Sequence, residues 1–466
     1  MLNDAQIEAL RAAAGADHLC LERATLWTYG MDNSRRHAPP DAVVFASTHE
    51  QVREVVRACH AHRIPLIARG RGTGTTGATV PIHGGMVLSF ERMNRILEVN
   101  PDDRLMVVEP GVTNGEVQAA ARAHGFFWPP DPTSSAFCTV GGNLAYNSAG
   151  PRAVKYGTVR ENVLALRAIT GKGDELRTGT RTTKGVVGYD LTRLLVGSEG
   201  TLAVITEATL RLTPLPEAVR TARALYADMA SAARAVARLM AQPVTPCALE
   251  FIDGAAMDMI RGHTSVDLPP QARAMLMIEV DGPAACLESA IASVRRAAEV
   301  DGLLEWSEAR DKAEVETLWA TRKALSPALR KIAPKKINED VVVPVSRIPD
   351  LIAGLERLSA EHAIPIINFG HAGNGNIHVN LLLDPDAPGE LARAHACLDE
   401  VFALVLTLGG TLSGEHGVGL EKRDFIDREL DATAIELMRG LKAVFDPAGI
   451  LNADKTLPLP QHASAT

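Results

Sequence analysis

Aromatic residues make up only 4% of this chain, and its six cysteines, at positions 20, 59, 138, 247, 286 and 397, show no CxxC or other paired spacing. That scatter argues against a zinc ribbon, an iron–sulfur cluster and a disulfide framework, and it suits a reducing, cytoplasmic setting. No apolar run approaches the ~18 residues that would span a bilayer. The first residues, MLNDAQIEALRAAAG, carry acids and lack the basic-then-apolar order of a signal peptide. The expectation is a cytoplasmic protein, membrane-peripheral at most, with no transmembrane segment. Basic charge is also in deficit: 48 Lys and Arg against 56 Asp and Glu give a formal net charge of -8, which makes nucleic acid an unsuitable partner.

What is present is a globular composition, 46% hydrophobic and 22% charged over 466 residues, long enough for at least two hydrophobic cores. Within it, RGRGTGTTGA (Arg69 to Ala78) places four glycines and three threonines in ten residues, directly after the strand-like IPLIA. Glycines let backbone amides approach a ligand closely, the threonines offer hydroxyls, and Arg69 and Arg71 offer charge, a combination suited to a pyrophosphate. Gly72, Gly74 and Gly77 also spell GxGxxG, with Glu91 near the offset of a ribose-binding acid, but TVPIHGGMVLSF follows with Pro81, Gly84 and Gly85 where that fingerprint needs a helix. The Rossmann reading fails, and so does the P-loop, for want of the Lys-Ser or Lys-Thr.

Upstream, AVVFA reads as a strand. Ser47 with Glu50, or Thr48 with Gln51, forms a capping box before Val52, Val55, Val56 and Cys59, giving a β-α-β unit that ends in the glycine loop. Strands GMVLSF and LMVVEPG, a helix EVQAAARAHG and glycine-punctuated polar blocks follow. Near Pro214 to Pro216 the texture changes to helices (Met229 to Ala241, Ala284 to Glu299) alternating with strands (ALEFID, AMLMIEVDG), which predicts a domain boundary and an α+β, ferredoxin-like layer.

A second cluster lies far downstream. NFGHAGNGNIHVNLLL sets His371 and His378 on either side of a Gly-Asn-Gly-Asn turn, and TLSGEHGVG puts Glu415 beside His416. Two imidazoles and a carboxylate suit a divalent, zinc-like ion with an open coordination position. Seven residues apart, the two histidines would face opposite ways on one regular strand, so Gly373 and Gly375 must bend the chain between them.

Taken together, RGRGTGTTGA, PTSSAFCTVGGNLAYNSAGPRAVKYGTVRENV, TKGVVGYDLTRLLVGSEGTLAVIT, FGHAGNGNIHVN, SGEHGVG and the closing FDPAGILNADK resemble, over nearly the whole chain, FAD-binding oxidoreductases of the vanillyl-alcohol oxidase (PCMH) type. Within that type they resemble the D-lactate, D-2-hydroxyglutarate and glycolate dehydrogenase group. The resemblance implies an α+β fold: a two-subdomain FAD-binding domain over residues 1–215, a ferredoxin-like substrate-capping domain with the metal site over 216–420, and a C-terminal helical segment, 421–466, returning to the FAD domain.

Carried over by position, Arg69, Gly70, Arg71, Gly72, Thr73, Gly74, Thr75, Thr76 and Gly77 would hold the pyrophosphate. Pro132, Thr133, Ser134, Thr139, Gly141, Gly142 and Asn143 would line the flavin, and Asn147, Ala149, Gly150 and Gly157 would continue that wall. Glu199, Gly200 and Ile205 would lie toward the adenosine, with Asn452 and Lys455 closing over the ring. With no His or Cys in the first loop, the FAD is expected to be non-covalent. His371, His378 and Glu415 match metal ligands (zinc, or manganese), His416 an active-site histidine, and Arg322 an arginine that pairs with a substrate carboxylate; Ser326 would face the same way on its helix. The position of a family lysine that would contact a second carboxylate is not fixed: Lys335 and Lys336 are both close, yet counting back from Pro344 points to Asn338.

The implied reaction is oxidation of a D-2-hydroxy acid, D-lactate or D-2-hydroxyglutarate, to the 2-oxo acid, with His416 as general base and hydride passing to flavin N5. Nothing in the chain suggests NAD, haem or an iron–sulfur cluster, so the electrons would go to another protein, a quinone or a cytochrome. Alternatives are the FAD subunit of a glycolate dehydrogenase complex, a non-redox flavin enzyme such as the alkyl-glycerone-phosphate synthases, and a flavin electron carrier. A homodimer is the commonest closed assembly.

Overall fold

The computed structural model describes residues 1–261, 268–329 and 331–459. The chain divides into two compact units, one of Met1–Ala149, Gly157–Leu215 and Glu415–Thr466, the other of Gly150–Tyr156 and Pro216–Gly414. Two short stretches thus fall differently from the boundaries read in the sequence: 150–156 goes with the second unit, and 415–420 with the first.

In the first unit, Thr48 caps helix His49–His62 by accepting from the Gln51 amide at 3.2 Å, and Val52, Val55, Val56 and Cys59 form its buried face. Strand Ala42–Phe45 precedes that helix and Leu66–Arg69 follows it. Both run parallel to Met86–Ser89, which lies between them, and Leu19–Cys20 completes the four-stranded sheet. Every residue of the central Met86–Ser89 strand is buried, as expected of a parallel strand covered on both faces. A second sheet, antiparallel, is ordered Ile96–Asn100, Leu105–Val108, Ala203–Arg211, Val163–Thr170, Glu175–Gly179. The end of the chain returns here: Leu66 donates its amide to the Ile450 carbonyl and accepts from the Asn452 amide, both at 2.8 Å, and Ile450 and Leu451 join the first sheet's core.

The second unit is built on a seven-stranded sheet, antiparallel throughout. Its first four strands are ordered Leu303–Glu308, Ala218–Tyr226, Ala274–Gly282, Ala248–Asp253, the 4-1-3-2 order of a ferredoxin-like layer. Ile366–His371, Asn376–Leu383 and Lys335–Val342 extend it. Helix Lys312–Leu329 buries Leu325 and Leu329 among Ile252, Ile367, Phe369 and Leu382 of that sheet. The segment Gly150–Tyr156 is bound to this unit by one buried acid. Lys155 pairs with the Asp281 carboxylate, and the Tyr156 hydroxyl donates to it at 2.7 Å.

Candidate functional site

In the first unit the glycine loop leaves strand Leu66–Arg69 and meets the helix Val140–Tyr146, whose N-cap is Thr139. Closeness here demands glycine. A Cβ on Gly70 would stand 2.3 Å from Thr139 Oγ1, and one on Gly74 would stand 2.5 Å from Tyr146 Oη. Between loop and helix lies a cavity lined by Arg69, Gly70, Thr139, Gly141, Gly142, Glu199, Gly200 and Ile205, all of them expected ligand contacts. Thr79, Phe90, Pro110, Ala145 and Tyr146 are among the further lining residues, which were missed in the sequence. The buried Tyr146 hydroxyl has no hydrogen-bond partner of normal geometry among the described residues. Burial pushes its pKa well up, so it stays a neutral donor for a bound ligand to satisfy.

The side chains of several expected contacts are engaged within the protein. Arg69 is buried, and its Nη1 donates to the Met31 carbonyl at 2.7 Å and to Thr79 Oγ1 at 3.3 Å. It also stacks on the Tyr29 ring at 5.4 Å. Its guanidinium therefore supports the loop from beneath, and a Cβ on Gly72 would meet it at 2.3 Å. Arg71 is half exposed, 4.0 Å from Glu91. Asn147, left-handed at the helix C-cap, accepts from the Thr158 hydroxyl and the Arg160 amide. Asn452 donates to the Glu199 carbonyl at 2.7 Å, and Lys455, buried, donates to the carbonyls of Ala78 and Val80.

His416 opens a turn tied down in the same unit. The amides of Val418 and Gly419 donate to the Glu199 carboxylate at 2.6 and 2.8 Å, and the Leu420 amide to the Thr76 carbonyl at 2.7 Å. Burial pushes Glu199 up to about 6 from the ordinary 4.5, against the pull of those two amides and Lys455. The native state then keeps a proton that the unfolded chain releases between those values. Stability should fall by up to about 2 kcal/mol as pH rises through that window. Chemical denaturation at pH values on either side should show that slope in the natural protein and not in Glu199→Gln; equal slopes would refute the assignment.

In the second unit, the strand Ile366–His371 turns through Ala372–Asn374 and a left-handed Gly375 into Asn376–Leu383. The reversal sets His371 and His378 on neighbouring strands, both buried, with ring centroids 5.2 Å apart. Beside them Arg322, also buried, lies over the Phe369 ring at 4.8 Å. Ser326 follows one turn later and accepts from Lys336 Nζ at 2.8 Å, while Asn338 donates to Asn380.

The residue that joins these groups was missed in the sequence. Glu250, 1% exposed on strand Ala248–Asp253, accepts from Arg322 Nε at 2.8 Å and binds His371 Nδ1 at 2.5 Å. Burial alone would raise its pKa, but His371 and Arg322 together hold it below the ordinary value. An acid in the otherwise apolar run ALEFI was the available signal. On the far side of His378, Asp340 accepts from the Gly414 amide at 2.9 Å and from Ser413 Oγ at 3.2 Å. Glu415, half-buried, is the next residue.

Two family models match the chain: an FAD binding domain over residues 40–179, and the C-terminal domain of FAD linked oxidases over residues 215–456, more than half of the chain. The chain belongs to the FAD-linked oxidases. Among curated members of this family it is 36% identical over 449 residues to the glycolate oxidase subunit GlcD of Bacillus subtilis, covering 96% of each chain. It is 33% identical over 465 residues to the D-2-hydroxyglutarate dehydrogenase of Stutzerimonas stutzeri, covering 98% of this chain and 99% of that one. It is also 33% identical over 463 residues to a probable mitochondrial D-lactate dehydrogenase of Danio rerio, covering 98% and 92%. Among solved structures, p-cresol methylhydroxylase superposes with a TM-score of 0.80 at 18% identity over 98% of this chain and 97% of that one, a likeness of fold alone. This FAD-linked oxidase has the PCMH-type fold expected from its sequence, and among its described residues no helix is long and apolar enough to cross a membrane. The cavity between the glycine loop and Tyr146 suits the family's cofactor: close backbone approach on one side and an unsatisfied hydroxyl on the other.

Proposed function

We propose that this FAD-linked oxidase oxidises a D-2-hydroxy acid, D-lactate or D-2-hydroxyglutarate, to its 2-oxo acid. The observation that carries this reading is that Arg322 and His371 share the two oxygens of one buried carboxylate. A carboxylate clamp and an imidazole pair therefore lie side by side, which is what a substrate bearing adjacent carboxylate and hydroxyl groups requires. Relatives named for D-2-hydroxyglutarate and D-lactate support the substrate class.

In this reading the FAD is non-covalent, and His371, His378 and Glu415 hold a divalent ion, zinc or manganese; the donor set fits such an ion. When bound, the ion lowers the pKa of the substrate hydroxyl and the flavin supplies the hydride acceptor. Arg322 grips the carboxylate through its terminal nitrogens, because Nε is engaged by Glu250. Ser326, one helical turn on, contacts the substrate beside it. His416 takes the hydroxyl proton as general base, on a turn whose backbone is fixed by Glu199. Electrons leave to a protein, quinone or cytochrome.

Anaerobic mixing with D-lactate, L-lactate, D-2-hydroxyglutarate, D-malate and glycolate tests the reading. One D-acid should bleach the flavin, EDTA should abolish the bleaching, and zinc or manganese should restore it. A yellow protein that no 2-hydroxy acid bleaches would remove the dehydrogenase reading. A second reading, the FAD subunit of a glycolate-oxidising complex, is favoured by the GlcD relatives, whose name makes them subunits. Glycolate alone bleaching the flavin, together with partners retained through native purification, would select it.

A further inference from the structure

The buried ion cluster of the second unit is unusual in its setting. Glu250 lies on a strand whose neighbours Leu249, Phe251 and Ile252 are fully buried and apolar, and a carboxylate there is costly to desolvate. An Arg–Glu pair kept only for stability could be exchanged for apolar residues at little loss. What apolar residues could not reproduce is the division of labour between the two oxygens: Oε1 faces His371 Nδ1 and Oε2 faces Arg322 Nε.

Resting on the functional reading above, we propose that Glu250 is a positioning residue that locks the ligand His371 and the carboxylate clamp Arg322 into one assembly. By taking the Nδ1 proton of His371, it assigns the lone pair to Nε2 and fixes the plane of the ring, as outer carboxylates do for metal-bound histidines. By taking Nε–H of Arg322, it turns the paired terminal N–H groups toward a substrate carboxylate. The Phe369 ring holds the other side of that guanidinium at 4.8 Å, and His378 packs against the same ring at 5.8 Å. No ring rotation at His371 can then occur without disturbing Arg322, so metal affinity and carboxylate recognition are coupled through one side chain.

The test uses Glu250→Gln in the full-length, FAD-loaded protein, stripped of metal. Both partners of Glu250 are donors, so the amide can satisfy one and must turn its NH₂ on the other. Zn²⁺ affinity by calorimetry should fall about 10–100-fold, the absorption spectrum of the Co²⁺-loaded protein should change, and KM for the bleaching acid should rise at least about tenfold. Thermal melting and flavin content check folding; if the glutamine variant does not fold, Glu250→Asp, which reaches only one partner, is read the same way. A folded variant with Zn²⁺ affinity and KM within twofold of the natural protein would overturn the role of Glu250 alone. A natural protein that takes up no Zn²⁺, behaving like His371→Ala, would overturn the metal reading and this proposal together.

Discussion

Replacing His416 by alanine should lower kcat for the 2-hydroxy acid by about 10²–10⁴-fold, the usual loss when a positioned general base is removed. The variant isolates the imidazole because the turn is held by backbone groups. The amides of Val418 and Gly419 bind Glu199, and that of Leu420 binds the Thr76 carbonyl. Gly417, at φ +84°, passes so close to Tyr146 that a Cβ would stand 2.5 Å from its ring. None of these needs the histidine side chain, so flavin content and melting temperature should be unchanged, and added imidazole should restore part of the rate. Full turnover in the alanine variant would sink the assignment.

A second large effect is expected at Gly375. It turns the chain between the two histidine strands at φ +73°, and a Cβ there would stand 1.9 Å from the Val343 carbonyl oxygen. Gly375→Ala should combine left-handed strain with a backbone clash, a loss on the order of 3 kcal/mol, and should abolish metal uptake by displacing both imidazoles. The control lies in the same unit: Gly409 has nearly the same φ, +74°, but nothing within 4 Å of its Cβ position. Its alanine variant should lose only about 1 kcal/mol. Equal denaturation midpoints for the two variants would refute the steric argument.

What the sequence disclosed, and what it hid, follows the range of the interactions. The N-cap at Thr48, the β-α-β unit and the glycine loop after Arg69 are short-range patterns, and the structure has them where periodicity and turn chemistry placed them, although the Gln51 side chain that was to complete a capping box accepts from the Ser47 amide instead. The ferredoxin-like layer was legible because its strands and helices alternate at ordinary spacing. Glu250 was not, since its partners lie 72 and 121 residues away, and nothing local distinguishes a bridging acid from a strained one. Tyr146 was hidden for a related reason. It lies in a block that reads as irregular and polar, and only the structure, which ends a short helix at Tyr146 and brings Gly74 against it, reveals what its hydroxyl faces. Arg69 reads as a ligand cation, and its inward turn depends on Met31, 38 residues upstream.

The routing of the chain also sets an order of events during synthesis. The first unit is begun at the N-terminus but needs Ile450 and Leu451 to cover its sheet, and Lys442 to reach the Thr201 carbonyl. It cannot be finished until Leu451 has been made. The second unit has everything it needs once Gly414 has emerged, including the early strap whose Lys155 and Tyr156 must wait for Asp281. The second unit can therefore be completed before the first. A fragment cut to residues 216–414 would strand a buried aspartate without its lysine, so the second unit is best produced with 150–156 joined back onto it.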